Sequence, residues 1–256
     1  MSTTLLVIPF YNDAERLAPF LGELLAVLPD RFVIAVSDDG SRAEQKVRLF
    51  SLMEEAARGA RTEGPRLLPP LTAEFNSGKG RAVIRGWALA EGHEFVAFAD
   101  ADGAVPAREI LRAEEYMRSP GCAVDALFAG RFKMLGRRVD RTLRRHLAGR
   151  VFATLVSELS RVPVYDSQCG LKILRNAALR TVYPYLSEGG FAFDVELLLL
   201  LIKAGLTVEE FPVDWADVPG SKVSLLRDSW RMARQVILIN RRLARMGRIA
   251  PVADEA

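Results

Sequence analysis

The chain has 256 residues, 50% of them hydrophobic and 26% charged, with a formal net charge of only +3. That balance fits one large folded domain, or a domain with a terminal appendage, and excludes a disordered chain. Two cysteines, Cys122 and Cys169, without metal-type spacing fit a reducing compartment better than a disulfide framework.

Thr4 to Pro9 reads as a buried strand, followed by the loop Phe10-Tyr11-Asn12-Asp13, in which Asn12 or Asp13 can cap a helix carrying Leu17, Phe20, Leu21, Leu24 and Leu25. Phe32 to Val36 is a second buried strand ending in Ser37-Asp38-Asp39-Gly40-Ser41, and a helix from about 43 to 57 follows. Residues 58–71 hold a loop with a short edge strand. Asn76-Ser77-Gly78-Lys79-Gly80 then opens a helix from Arg81 to Glu91, so backbone N–H groups and an ammonium face any anion there. The spacing is not that of a Walker loop.

Phe95 to Ala99 has no polar face, as a strand covered on both sides requires, and it ends in Asp100-Ala101-Asp102-Gly103. Two carboxylates at the end of a buried strand are costly unless a cation pairs with them. Mg²⁺ or Mn²⁺, bridging Asp100 and Asp102 to substrate phosphates, is the natural partner, and Gly103 lets the backbone turn sharply behind them. Alternating strands and helices imply an α/β fold with a mostly parallel, Rossmann-like sheet, flanking helices, and a ligand crevice beyond the strands' carboxyl ends. Pro9–Asp13, Asp38–Ser41 and Asp100–Asp102 all fall on that rim.

Pro106 suits the first turn of a helix running to Met117, and Val124 to Gly130 is another strand, followed by Arg131. From Arg131 to Arg161 there are nine basic residues against two acidic ones, leaving the rest of the chain acidic. The stretch 137–161 reads as a basic amphipathic helix, with Leu143, Leu147, Val151, Leu155 and Leu159 beneath Arg137, Arg138, Arg141, Arg144 and Arg145. The loop Asp166-Ser167-Gln168-Cys169-Gly170 precedes the strand Leu171–Leu174, and a helix begins near Asp194. Val208 to Trp215 alternates like a strand. A last helix, about Leu225 to Met246, sets Arg227, Arg231, Arg234, Arg241, Arg245 and Arg248 on one face, with Trp230, Val236, Ile237, Ile239 and Leu243 opposite. The division expected is a domain over 1–222, containing the basic insert, and a C-terminal helix and tail over 223–256.

Seven stretches in this order, VIPFYND (7–13), VSDDGS (36–41), NSGKG (76–80), ADADGA (99–104), DSQCGLKILR (166–175), FAFDVELL (191–198) and VDWADVPGSK (213–222), resemble the family 2 glycosyltransferases of GT-A fold. More closely, they resemble the dolichyl-phosphate glucosyltransferases and their polyprenyl-phosphate relatives. The resemblance implies an inverting enzyme that moves a hexose from a nucleotide sugar, UDP-glucose being favoured, to a polyprenyl phosphate with Mg²⁺ or Mn²⁺. GDP-mannose as donor, or a hydroxyl acceptor that is not a lipid, are the alternatives.

The resemblance places Pro9, Tyr11, Asp13, Asp38, Asp39 and Asn76 around the nucleotide, Lys79 at the pyrophosphate, and Asp100 and Asp102 at the ribose and metal. Arg131, Ser221 and Lys222 are expected to face phosphates, and Asp166, Gln168, Cys169, Gly170 and Asp194 the acceptor side. Asp194 is either the base for a hydroxyl acceptor or merely the cap of its helix. Cys169 lacks a histidine that could serve it and reads as a packing thiol rather than a nucleophile.

The sequence opens with no secretory leader, and its longest strongly apolar run, Leu197 to Ile202, falls far short of the ~20 residues of a membrane span. The transmembrane anchor of eukaryotic relatives and the Q-x-x-R-W motif of processive synthases are missing. The expected location is therefore cytoplasmic, peripheral on the membrane surface through the basic stretch. A nucleotidyltransferase would need a Gly-rich loop after the first strand. Nucleic-acid binding is disfavoured because the arginines alternate with aliphatic residues rather than stacking aromatics.

Overall fold

The structure is a computed structural model that describes residues 2–132, 134–140, 165–218 and 225–252. Its centre is a sheet in which β1 (Thr4–Phe10) lies between β2 (Phe32–Asp38) and β5 (Phe95–Ala99), parallel to both. Two short strands, β3 (Arg66–Leu67) and β4 (Leu71–Thr72), pair with β2, so the expected single edge strand is split in two. On the other side follow β8 (Leu171–Arg175), β6 (Ala126–Gly130) and β9 (Val208–Pro212). A separate ribbon joins β7 (Val139–Asp140) to β10 (Trp215–Ala216).

The apolar runs are explained by cover on both faces. Along β1, Leu5 and Val7 enter one core while Leu6, Ile8 and Phe10 enter the other. The second of these cores receives α1 (Ala14–Val27), α2 (Ala43–Arg58) and α4 (Ala107–Arg118). The first receives α3 (Lys79–Trp87), α5 (Asn176–Val182), α6 (Phe193–Lys203) and α7 (Leu225–Arg245). α6 is almost wholly buried and carries the apolar run that is too short to span a bilayer. In α7, Val236, Ile239 and Leu243 join the core shared with α6, whereas Ile237, expected on the apolar side, is exposed.

The sheet is mostly parallel, as expected, with β8 running antiparallel to both β5 and β6. That reversal brings the start of β8, and the loop before it, to the same rim as the carboxyl ends of β1, β2, β5 and β6. The expected helix over 137–161 does not begin at 137: Val139–Asp140 is the strand β7, and Arg137 is bound to Glu109 at 3.2 Å. Residues 141–164 lie outside the described residues. Helix starts also differ in detail. Asp13 stands at the start of α1 but does not cap it with its side chain, which bonds Arg16 instead.

At the opposite end of the sheet, Glu114 of α4 is fully buried. It accepts from Thr4 Oγ1 at 2.9 Å, from Arg31 Nη2 at 3.0 Å, and from Arg118. Removing one member of a buried pair leaves uncompensated charge. Arg31 and Arg118 each keep a second carboxylate, Glu115 and Glu94. Glu114→Ala is therefore expected to cost about 3 kcal/mol, the lower end for such pairs. Urea unfolding would register this as a lower midpoint, and an unchanged midpoint would show that the cluster contributes nothing net.

Candidate active site

The rim is assembled by its own loops. Asn12 takes a left-handed conformation (φ 51°), which lets its N–H reach Ser41 Oγ at 2.8 Å and its Oδ1 accept from the Arg42 N–H at 2.8 Å. The loops after β1 and β2 are thereby sewn together. Asp38 is fully buried and accepts from the Ser41 N–H at 3.0 Å. Asp39 is also buried, and its two oxygens accept from the N–H groups of Ser77 (3.0 Å) and Gly78 (2.6 Å). Both carboxylates, expected at the nucleotide, have backbone partners here. They build the rim, Asp39 by fixing the turn that precedes Lys79.

That turn is pressed against a second loop. Gly78 has φ 100°, and a Cβ there would stand 2.3 Å from the carbonyl oxygen of Gly189. Loop 187–190 is in turn gathered by buried Glu196, which accepts from the Ser187 and Glu188 N–H groups and from Arg242 at 2.7 Å. α7 thus reaches the site through Arg242, a link no local sequence signal carries.

Between these loops, Lys79 starts α3 with its ammonium 2.7 Å from Asp100 Oδ1 and 3.5 Å from Asp194 Oδ2. Burial alone would lower the Lys79 pKa, but the charges of Asp100 and Asp194 overcome it and hold the ammonium above its ordinary range. Asp102 stands one turn further on, its Oδ1 accepting from the Ala104 N–H at 3.1 Å and its Oδ2 3.6 Å from Arg16. Gly103 behind it has φ 68°, the sharp turn expected. Burial, and then the charge of Asp100, push the Asp102 carboxyl above its ordinary range.

Such a pair of hard oxygen donors with mutual repulsion fits a divalent cation. Among the described residues, no group of three or more His, Cys, Asp or Glu side chains gathers for one. An ion there would take its other oxygens from phosphates and water, as Mg²⁺ commonly does.

The loop before β8 forms the opposite wall. The Gly170 carbonyl accepts from the Asp100 N–H at 2.9 Å, and a Cβ on Gly170 would stand 2.4 Å from Asp100 Oδ2. Asp166 is bound to Arg131 through the backbone N–H at 3.1 Å and through both ends of the guanidinium fork, at 2.6 and 2.7 Å. Arg131 also lies 5.4 Å from the Trp215 ring centroid. Cys169 is fully buried and its thiol is pushed up to about 12 by burial, which makes it packing and removes its side chain from the acceptor set. Gln168 remains at the wall with its Nε2 buried and without a hydrogen-bond partner.

Asp194 is 1% exposed, with Oδ1 2.5 Å from Lys172 Nζ and Oδ2 facing Lys79. Each of its two oxygens thus faces an ammonium. Lys172 and Glu196 are the site residues the sequence reading missed. Pro9, Tyr11, Asp13 and Asn76 stand on the rim, Tyr11 and Asn76 exposed. Ser221 and Lys222 lie outside the described residues.

The profile of one family, described as Glycosyl transferase family 2, matches residues 5–182. The chain belongs to glycosyl transferase family 2. Among family relatives it is similar to a dolichyl-phosphate beta-glucosyltransferase of Saccharomyces cerevisiae, 30% identical over 91% of this chain and 72% of that one. A human dolichyl-phosphate beta-glucosyltransferase is 27% identical over 92% and 74%. Of solved structures, glucosyl-3-phosphoglycerate synthase from Mycobacterium tuberculosis with Mn²⁺, uridine diphosphate and glucosyl-3-phosphoglycerate has TM-score 0.65 and 16% identity, covering 98% of this chain and 82% of that one. A mannosyltransferase from Pyrobaculum calidifontis with GDP-Man and Mn²⁺ has TM-score 0.61 and 19% identity, covering 96% and 65%. These likenesses establish the GT-A fold, with its mostly parallel mixed sheet.

The tight seat of Gly170 against Asp100 yields a test of the wall. Gly170→Ala forces the Asp100 carboxylate to move, so Mn²⁺-dependent binding of a nucleoside diphosphate should fall about tenfold, the cost of roughly 1.4 kcal/mol. Calorimetric titration together with a melting curve measures both effects. Wild-type affinity in the variant would mean that Asp100 is not held where the rim places it.

Proposed function

We propose that this chain is an inverting glycosyltransferase that transfers glucose from UDP-glucose to a polyprenyl phosphate at a membrane surface. The observation that carries the reading is the rim itself. A partly buried ammonium, Lys79, stands beside a pair of carboxylates, Asp100 and Asp102, on one crevice of a family 2 chain. The names of the relatives support the donor sugar and the lipid phosphate acceptor.

A divalent cation held by Asp100 and Asp102 would supply charge neutralisation for the departing diphosphate. The chain's own contribution is a fixed field. Lys79, clamped by Asp100 and Asp194, offers a positive charge at the diphosphate that needs no reorganisation during the reaction. Asp39 holds the turn bearing that lysine, and the Gly170 wall confines the space in which the acceptor approaches, opposite the leaving group. A phosphate monoester has a second pKa of about 6, so at neutral pH it attacks as an anion and requires no proton acceptor. The enclosure of Asp194 between two lysines agrees with that chemistry.

No helix among the described residues is long and apolar enough to cross a membrane. Support for a surface location comes instead from the turn after β6, where Met134 and Leu135 project into solvent, Leu135 fully exposed, and from exposed Phe191 beside the Gly189-Gly190 loop. Apolar side chains beside the crevice suit a lipid whose phosphate lies at headgroup level.

The test is transfer of labelled glucose from UDP-glucose into the organic phase, with polyprenyl phosphate in anionic vesicles and Mn²⁺ present. Asp102→Asn should lose about 10²–10³-fold in turnover, the range for removing one pre-placed electrostatic group, and Leu135→Ser should reduce vesicle co-sedimentation. Unchanged turnover in Asp102→Asn, or clearly faster transfer from GDP-mannose, would overturn the reading.

A further inference from the structure

Lys172 sits in the middle of β8 with none of its surface exposed. A buried ammonium is costly, and this one has all three of its protons used. It donates to the Ser167 carbonyl at 2.9 Å, the Cys169 carbonyl at 2.6 Å and Asp194 Oδ1 at 2.5 Å. The rings of Phe98 and Phe128 stand 5.4 and 5.3 Å from it. With no free donor and no path to solvent, Lys172 cannot touch a substrate.

We propose that Lys172 is a positioning residue, which acts through Asp194 to set where Lys79 presents its charge. The inference rests on the reading that Lys79 faces the donor diphosphate. The four groups form a line of alternating charge from the core to the rim: Lys172, Asp194, Lys79, Asp100. Lys79 has a choice between two carboxylates, and the distances record the outcome, 2.7 Å to Asp100 at the rim against 3.5 Å to Asp194 in the interior.

Asp194 is the more deeply buried of the two and, unaccompanied, would attract the ammonium more strongly, because charges interact more strongly where water is excluded. Lys172 removes that advantage by occupying Oδ1 at the shorter distance. Lys79 is left biased outward, over the ring of Phe98, whose centroid lies 4.9 Å away. The same ammonium gathers the carbonyls of the loop that ends at Gly170, so the donor-side lysine and the opposite wall are set by one buried charge.

Replacing Lys172 by methionine keeps an unbranched apolar stem one atom shorter and removes the charge, and Lys79 then relaxes toward Asp194. Lys172→Gln removes the charge while retaining a donor for the carbonyls, and serves if the methionine variant does not fold. Calorimetry with Mn²⁺ and either UDP or uridine reads the consequence. Expected is a loss of tenfold or more for UDP in both variants, with uridine within twofold of the unaltered protein. In a Lys79→Met background, Lys172→Met should add less than twofold.

Equal losses for UDP and uridine would make Lys172 a general structural residue and overturn the proposal. So would an undiminished effect in the Lys79→Met background. UDP binding that neither Lys172 variant changes overturns this inference alone. Absence of UDP binding by the unaltered protein overturns the donor-site reading and this inference with it.

Discussion

The structure depends on how carboxylates at the ends of buried strands are compensated. Asp38, Asp39, Asp100 and Asp166 all stand at that rim, where desolvation would otherwise raise the free energy of the folded state. Each has a specific partner: the Ser41 N–H for Asp38, the Ser77 and Gly78 N–H groups for Asp39, Lys79 for Asp100, and Arg131 for Asp166. Asp102 is the least satisfied of the five, with one backbone N–H and a distant arginine; burial pushes both its carboxyl and that of Asp39 upward, and at Asp102 the charge of Asp100 adds to it. In the function proposed here, that deficit is where a divalent cation would sit.

The compensation also explains the rigidity of the crevice. Asp39 ties the loop after β2 to the turn before α3, Gly78 packs that turn on loop 187–190, and Glu196 with Arg242 holds the loop against α7. Gly170 closes the other side on Asp100. A charge placed by several independent contacts loses little on reorganisation, which is the condition for electrostatic stabilisation of a leaving diphosphate.

Much of this was legible in the residues themselves. Strands covered on both faces show as unbroken apolar runs, so β1, β2, β5 and β6 and the carboxylates behind them could be placed on one rim. What the sequence does not encode locally is strand direction. Leu171–Leu174 reads the same whether parallel or antiparallel, and only the fold shows that β8 is reversed.

Buried charge is equally hidden. In Leu-Lys-Ile-Leu, Lys172 reads as the solvent side of an edge strand, because the partner that permits its burial, Asp194, is 22 residues away. Glu114 and Glu196 read as ordinary polar helix positions for the same reason. Asp38 and Asp39 show a structural role that residue type alone does not reveal, each accepting from neighbouring N–H groups. Pairing across the sequence, rather than residue type, decided each case.

The central claim is that Lys79 carries its charge to the donor diphosphate from between Asp100 and Asp194. A crystal structure of the unaltered protein with UDP and Mn²⁺ tests it most directly. The account predicts Lys79 Nζ within hydrogen-bond distance of a diphosphate oxygen, about 2.7–3.2 Å, with Asp194 still bound to Lys172. A diphosphate bound elsewhere, with Lys79 still closed on the two carboxylates, would contradict it.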